Sequence, residues 1–422
     1  MQLNFIYMLR LTVLLGTLGS GTAHAQATYS LQKALQTARA NNPVLAAERL
    51  NIGVAEADVA TARLHPNPML NNQTLQLLQS SAFPSETRWY NADNRQVWWQ
   101  LTKVFPVAGQ RRNQIATAQR NVVFTEKLYA ETERNLYLDV ASKWLEAWAA
   151  RKQLDVIESA QTNLDSLLNA NRYRYEKEVI SQTDLFRTEL LAKQFALQAQ
   201  TARQDLQNRQ QELRWMLGTT DSVRVDTADA FAFALPTDLE SLLAQGAQAR
   251  SDVQAGRALL DLSESNLRLQ KSLAVPQPEV GFIWNPQNTL PYFGIYATMD
   301  LPLFNRNQGE IQKSNVLKEQ ARRQLDAVQS LSQTEIAVAF ADYRQQGQNV
   351  QAYQPILEQS QVILDNVRYA YLRGGTTIVD YLEAQRSWLE TRQQYYDTVQ
   401  AFKQSHVRLL HATGFIQQLA QQ

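Results

Sequence analysis

The chain has 422 residues, room for two or three ordinary domains, and carries 41 Lys and Arg against 40 Asp and Glu, so no excess of charge draws it toward nucleic acid. Cysteine is absent, which excludes disulfides, thiolate metal sites, a Cys nucleophile and a lipidated N-terminal Cys together. The four histidines (His24, His65, His406 and His411) are scattered, and Met8, Met69, Met216 and Met299 form no cluster, so neither a dedicated metal site nor a cofactor is expected.

At the N-terminus Arg10 precedes an apolar run from Leu11 to Leu18, then small residues and Ala23-His24-Ala25. This is the pattern of a secretory signal peptide over 1–25, with the mature chain starting at Gln26. A short anchor helix is the alternative, but the run is too short to span a bilayer. No later segment approaches the roughly 18 uncharged apolar residues of a membrane helix, which leaves a membrane β-barrel open for a secreted chain.

The rest is one unit written twice. An offset of 196 carries Pro106 onto Pro302, Ile115 onto Ile311, Ala141 onto Ala337, Asp184 onto Asp380 and Gly218 onto Gly414. Arg172, Tyr173 and Tyr175 fall in the same way on Arg368, Tyr369 and Tyr371. Upstream the offset is 210 and aligns Pro66-Asn67-Pro68 with Pro276-Gln277-Pro278, so copy one carries 14 extra residues between Pro68 and Pro106. The reading is a first repeat over 26–218, a linker over 219–238, a second repeat over 239–414 and a tail over 415–422.

Each copy opens with a helix, from about Leu31 to Leu64 and from about Leu239 to Leu273. Two short β segments follow, at about 68–105 and about 278–302. The 108 residues from Gln110 to Leu217 contain neither Gly nor Pro, which marks a very long helix to Tyr175 and a returning helix from Ser181. Leu138, Ala141, Leu145, Trp148, Ile157, Leu164 and Leu168 recur at coiled-coil steps. Val280, Phe282 and Trp284 alternate with Glu279, Gly281 and Ile283, as Phe293, Ile295, Ala297, Met299 and Leu301 do with their neighbours, around the turn residues Asn285-Pro286-Gln287-Asn288. Segments of about ten residues suit a tilted membrane strand. Trp98, Trp99, Trp284, Tyr292 and Phe293 stand where an interfacial girdle belongs; soluble hairpins packing their aromatics in a core are the alternative. Pro66, Pro68, Pro276 and Pro278 mark the switch from helix to strand, and Pro106 and Pro302 the switch back.

A helix from Gln110 to Tyr175 spans about 100 Å, and the returning helix about 55 Å. The returning helix of copy one and the opening helix of copy two can therefore stack beside one long helix, with the linker as a belt at mid-height. Four strands cannot close a barrel, and open edges are not viable in lipid, so the chain must oligomerise. Residues alone do not give the number. The fold class is mainly α with a small membrane β part.

These features resemble the TolC-type outer-membrane efflux proteins over nearly the whole mature length: the doubled order, the Pro-x-Pro entry to each strand and the tyrosine-rich turns. Leu64-His65-Pro66-Asn67-Pro68 and Phe105-Pro106-Val107-Ala108-Gly109-Gln110-Arg111-Arg112 resemble the subgroup serving cobalt-zinc-cadmium exporters. The resemblance implies a homotrimer whose four strands per chain complete a twelve-stranded barrel in outer-membrane lipid, above a long α-helical barrel in the periplasm. It implies as partners an inner-membrane pump of the resistance-nodulation-division (RND) type and a periplasmic adaptor (membrane fusion protein). Heavy-metal cations are the implied cargo, with drugs, small molecules or secreted proteins as alternatives.

The resemblance also gives the tips, at about 176–181 and 372–377, a role in meeting the adaptor and closing the pore. The residues concerned are Tyr175, Lys177, Glu178, Ser181 and Asp184, with Tyr371, Arg373, Gly374, Gly375, Thr377 and Asp380. Lys177, Glu178 and Arg373 are candidates for charges near the constriction. Ser181 with Asp184, and Thr377 with Asp380, equally fit plain helix caps, and Glu178 departs from the family by standing where Gly is usual. Pro355 predicts a kink of unassigned purpose in the second long helix. No phosphate-cradling glycine loop, G-x-S-x-G or H-E-x-x-H occurs, so no catalytic residue and no enzyme activity are expected. A periplasmic coiled-coil scaffold is the competing reading of another class.

Overall fold

The structure is a computed structural model and describes residues 27–84, 86–228, 238–287 and 290–421. The expected signal peptide, part of the linker (229–237) and Asn288 of the expected turn lie outside the described residues. Copy one comprises β1 (Ala27–Tyr29), α1 (Leu31–Asn41), α2 (Pro43–Arg63), β2 (Met69–Gln76), β3 (Arg95–Val104), α3 (Gln110–Glu176) and α4 (Gln182–Leu217). After β4 (Val223–Val225), copy two comprises α5 (Leu239–Ala249), α6 (Ser251–Leu273), β5 (Glu279–Gln287), β6 (Leu290–Thr298), α7 (Gln308–Leu372) and α8 (Ile378–Thr413). A 3-10 turn, Ile416–Ala420, follows. Among the described residues no helix is long and apolar enough to cross a membrane.

The fold class read from the sequence is the one observed: long helices with two hairpins at one end. The 67 residues of α3 and the 65 of α7 make rods of about 100 Å. Near the sheet α3 lies between α2 and α6; near the far tip it lies between α4 and α8. α7 packs on α6 and then on α8. The helix continues through Pro355.

Each opening helix differs from its expectation by a break, into α1 and α2 at Asn42 and into α5 and α6 at Arg250. Pro43 is the reason in copy one, since it starts a helix better than it continues one. The expected stacking across copies is also corrected. The end of α4 meets the α1–α2 break within copy one, and the end of α8 meets the α5–α6 break within copy two: the Asn42 side-chain amide donates to the Met216 carbonyl at 2.9 Å, and Arg250 donates to the Ala412 carbonyl at 3.0 Å. Capping settles the matter, because the orphan carbonyls ending each returning helix are met by the break of their own copy.

Among the described residues, mid-height holds the largest cluster of buried apolar side chains. Trp144, Leu145, Tyr137, Leu35, Leu213, Leu217, Leu410 and Ile416 are buried together there. β1 pairs in parallel with β4, and the indole of Trp144 donates to the Tyr29 carbonyl at 2.9 Å. The 3-10 turn after Gly414 is fastened by Gln36, which donates to the Ala420 carbonyl at 2.8 Å. Toward the tip a second cluster joins the copies through Leu164, Leu191, Phe195, Tyr381 and Trp388.

The hairpins form one antiparallel sheet in the order β2-β3-β5-β6. β5 continues to Gln287, past the residues read as a turn. Pro286 pairs with Pro291; neither has an N–H, so the pair leaves no donor unmet. Among the described residues the outer strands β2 and β6 keep one edge each without a partner strand.

Candidate functional site

The two tips are the same turn built from different residues. In copy one the Glu178 amide donates to the Tyr175 carbonyl (2.9 Å), and the Val179 amide to the Arg174 carbonyl (2.8 Å). In copy two the amides of Gly374 and Gly375 donate to the carbonyls of Tyr371 (3.1 Å) and Ala370 (2.8 Å). This is the Schellman closure of a helix, which wants a left-handed residue. Gly374 supplies it at φ 76°, and Glu178 adopts the same region at φ 59°. A residue with a Cβ pays about 1–2 kcal/mol for that conformation.

The returning helices start with paired capping boxes. Ser181 accepts from the Asp184 amide at 3.1 Å while Asp184 accepts from the Ser181 amide at 3.3 Å. Thr377 and Asp380 repeat this at 3.2 and 3.1 Å, and Thr376 also donates to Asp380. These hydrogen bonds hold the exposed Asp380 carboxyl below its ordinary pKa.

Of the tip residues read from the sequence, Tyr371 departs from expectation. It is buried, only 4% exposed, and cannot present itself to a partner without moving. Its hydroxyl donates to Asn171 at 2.8 Å, and Asn171 donates to Thr188 at 3.0 Å. Its ring stacks on Tyr381, with Arg174 4.9 Å over it. It is a brace between the copies. Tyr175, Lys177, Glu178, Ser181, Arg373, Gly374, Gly375, Thr377 and Asp380 are exposed, and Asp184 is half-buried. Lys177 and Arg373 lie over the rings of Tyr173 and Tyr369 at 5.5 and 4.1 Å.

Register sorts the girdle aromatics. Trp99 pairs with Trp284, which pairs with Phe293; one row on, Leu101 pairs with Phe282, which pairs with Ile295. Directly opposed residues share a face, so these form an apolar face with Leu70 and Val280, exposed throughout. Trp98 and Tyr292 fall on the other face, a correction to the five-residue girdle, because adjacent residues of a strand point to opposite sides. That second face carries Asn71, Gln73, Gln100, Thr102 and Tyr296. Tyr296 bonds Thr102 and lies where a Cβ on Gly281 would meet its ring at 2.7 Å.

The six switch prolines stand between elements: Pro66 and Pro68 between α2 and β2, Pro106 between β3 and α3, Pro276 and Pro278 between α6 and β5, Pro302 between β6 and α7. The clasp beside them has no sequence signature. Buried Gln110 donates to the carbonyls of Ser272 (3.1 Å) and Val275 (2.6 Å) and accepts from Gln277 at 2.9 Å.

Also missed was an ionic joint at mid-height in copy two. Arg250, 2% exposed, forks onto Asp252 at 2.6 and 3.0 Å and meets Glu335 at 2.6 Å. Arg134 forks onto Glu131 at 2.7 and 2.8 Å and donates to the His411 carbonyl at 2.8 Å. Burial opposes charge on Glu131 and Asp252, but the guanidinium hydrogen bonds prevail and hold both pKa values down. Burial, with Arg134 next, pushes the His411 pKa down to about 4. Arg250 with Asp252 and Glu131 with Arg134 are close in sequence, but the two pairs and Glu335 and His411 come from distant parts of the chain and form no motif. Among the described residues no group of three or more metal-ligating side chains comes together.

Comparison with known proteins agrees with this geometry. The profile of the family "Outer membrane efflux protein" matches residues 34–219 and 242–415. The pyoverdine export outer membrane protein OpmQ of Pseudomonas putida is 23% identical over 294 residues, covering 66% of this chain and 62% of its own length. The cation efflux system protein CusC of Escherichia coli K12 is 21% identical over 408 residues, 90% of this chain and 85% of that one. A crystal structure of CusC superposes with a TM-score of 0.75 at 19% identity, covering 91% of this chain and 92% of that chain. The Campylobacter jejuni CmeC outer membrane channel gives 0.75 at 15% identity, over 91% and 85%. With a family match over most of its length and the fold of these channels, the chain belongs to the outer membrane efflux proteins.

Proposed function

We propose that three copies of this chain form the exit duct of a tripartite efflux system, fed by an inner-membrane RND pump through a periplasmic adaptor and performing no chemistry of its own. The observation that carries the reading is the four-stranded sheet with an apolar outer face, a polar second face and two unpartnered edges. Three such sheets joined β6 to β2 give twelve strands, within the range of natural barrels. The helical body supports the same joining. α2 exposes Leu50 and Val54, α4 exposes Phe186, Leu190 and Leu197, and α7 at the opposite margin exposes Leu331, Val338, Ile356 and Ile363, apolar margins that a neighbour would cover.

The exposed tips, far from the sheet, are the surface for the adaptor, with Glu178 and Arg373 at its rim. Heavy-metal cations are the cargo favoured by the likeness to a cation efflux protein over 90% of the chain. Export of a small organic molecule is the second reading, favoured by the likeness to a pyoverdine exporter. A conduit needs no tight site for either, since strong binding slows passage.

Outer-membrane fractionation and cross-linking test the architecture: a cross-linked trimer in the outer membrane is expected, and a soluble periplasmic monomer would overturn it. A deletion strain challenged with copper, zinc, cobalt and cadmium, then with drugs and siderophores, tests the cargo. Loss of metal resistance alone is the expected result.

A further inference from the structure

We propose that the helix–strand boundary is a binding collar for anionic glycerophospholipid. The inference rests on the duct reading and adds the lipid class that the duct selects.

The apolar face of the sheet ends at Lys103 and Val280, and the charge pattern changes there. In copy one the boundary carries Arg63, Lys103, Arg111 and Arg112; in copy two it carries Arg268, Lys271 and Arg306. Against these seven cations stand three carboxylates, Glu279, Asp300 and Glu310, the last of which pairs with Lys313 one turn further into α7, although the whole chain is balanced at 41 to 40. Six of the seven are exposed and Arg111 is half-buried. Among the described residues none of the seven makes an ion pair within 4.0 Å, so their charge is not neutralised within the chain. Arg111 and Arg306 spend hydrogen bonds on the carbonyls of Arg63 and Pro302, which hold them at the boundary without neutralising them.

The same segments expose large apolar side chains: Leu64 (70%), Phe105 (45%), Leu301 (71%), Leu303 (66%) and Phe304 (92%). Lys103 shares the apolar face of the strand with Leu101 and Trp99 and sits 5.9 Å over the Phe105 ring. A long cationic side chain can then reach up from the acyl boundary to the phosphates. Unpaired cations alternating with apolar side chains, just where a lipid-facing strand ends, match a phosphodiester above an acyl chain. Anionic lipid gains over zwitterionic lipid because its headgroup keeps its net charge.

The test uses the full-length protein reconstituted in phosphatidylcholine vesicles, with brominated phosphatidylcholine or brominated phosphatidylglycerol quenching its tryptophans. Trp98, Trp99 and Trp284 lie in the sheet. A preference for phosphatidylglycerol of about fivefold or more is expected at low salt, since each cation near the surface contributes roughly that factor. It should shrink toward unity in about 0.5 M salt. The combined variant Lys103→Gln/Arg112→Gln/Lys271→Gln/Arg306→Gln should lose the preference, and Lys103→Arg/Lys271→Arg should keep it. Equal quenching by both lipids in the unaltered protein would overturn the collar, as it would if those cations were taken by carboxylates of a neighbouring copy. So would a preference that survives the combined variant. Quenching by neither lipid would overturn the duct reading, and the collar with it.

Discussion

The two mid-height joints solve one problem with different chemistry. In copy one Asn42 caps α2, accepting from the amides of Val44 and Leu45 at 3.0 Å, and donates to the end of α4. In copy two Arg250 makes the corresponding bond to the end of α8 and needs Asp252 and Glu335 to satisfy the rest of its guanidinium. Gly218 and Gly414 close the returning helices at φ 61° and 79°, each so tight against its break that a Cβ would meet Asn41 or Ala249 backbone. Geometry is therefore conserved between the copies while charge is not. The Asn42 amide bond is itself indifferent to pH and salt, with charge entering joint one only through Arg39 and Glu133 at 2.6 Å; the buried Arg250 guanidinium is held by partners that each become a liability if another is removed.

Removing the ion separates the joints most sharply. Arg250→Met should cost about 3–5 kcal/mol of folding stability, because Asp252 keeps Arg134 at 3.7 Å as its one remaining cation beside the Val253 amide, and the Ala412 carbonyl loses the Arg250 donor. Denaturant unfolding followed by helical circular dichroism would show it, and a cost no larger than that of Asn42→Ala would erase the distinction.

Acid should find joint two as well. His411 ionises only near pH 4 when folded, against an ordinary value of 6.5. The unfolded chain therefore binds a proton over that window that the folded joint refuses. Stability is full above about pH 6.5 and falls by roughly 2–3 kcal/mol on descending to pH 4. The lowered carboxylates Glu131 and Asp252 extend the loss below that. His411→Gln should flatten the profile between pH 6.5 and 4; an unchanged slope would place the titrating group elsewhere.

Asn42→Ala should cost about 1–2 kcal/mol, the worth of a cap plus one hydrogen bond, with no dependence on pH between 4 and 8. The smallest effect belongs to the tips. Glu178→Gly should stabilise copy one's turn by about 1 kcal/mol by relieving its left-handed residue, and Gly374→Ala should cost copy two a similar amount. Hydrogen exchange at the Val179 and Gly375 amides would read both. If Glu178→Gly also leaves efflux unchanged, the carboxylate has no part in the rim.

Periodicity made the helices legible. The Gly- and Pro-free stretch from Gln110 and the offset of 196 located α3, α4, α7 and α8 closely, because helix breakers act locally and a repeat can be read along the chain without any contact being known. The β segments were legible as alternation, but the face of each aromatic was not: Trp98 and Trp99 differ by one residue, and only the register decides which side is which. The three-residue strands β1 and β4 are too short to carry a period. The brace of Tyr371 on Asn171 joins residues 200 positions apart, and the ionic joint brings the local pairs Arg250–Asp252 and Glu131–Arg134 together from distant parts of the chain, so no local pattern announces either.

The unpartnered edges of β2 and β6 have a kinetic consequence. A lone chain in lipid would present two rows of unmet backbone groups, each costing several kcal/mol, so no single-chain inserted intermediate accumulates. Insertion and assembly become one event of higher than first order. In refolding from denaturant into vesicles, the half-time for heat-resistant sheet should shorten as the chain concentration rises, at fixed lipid-to-protein ratio, while the helices form at a rate independent of it.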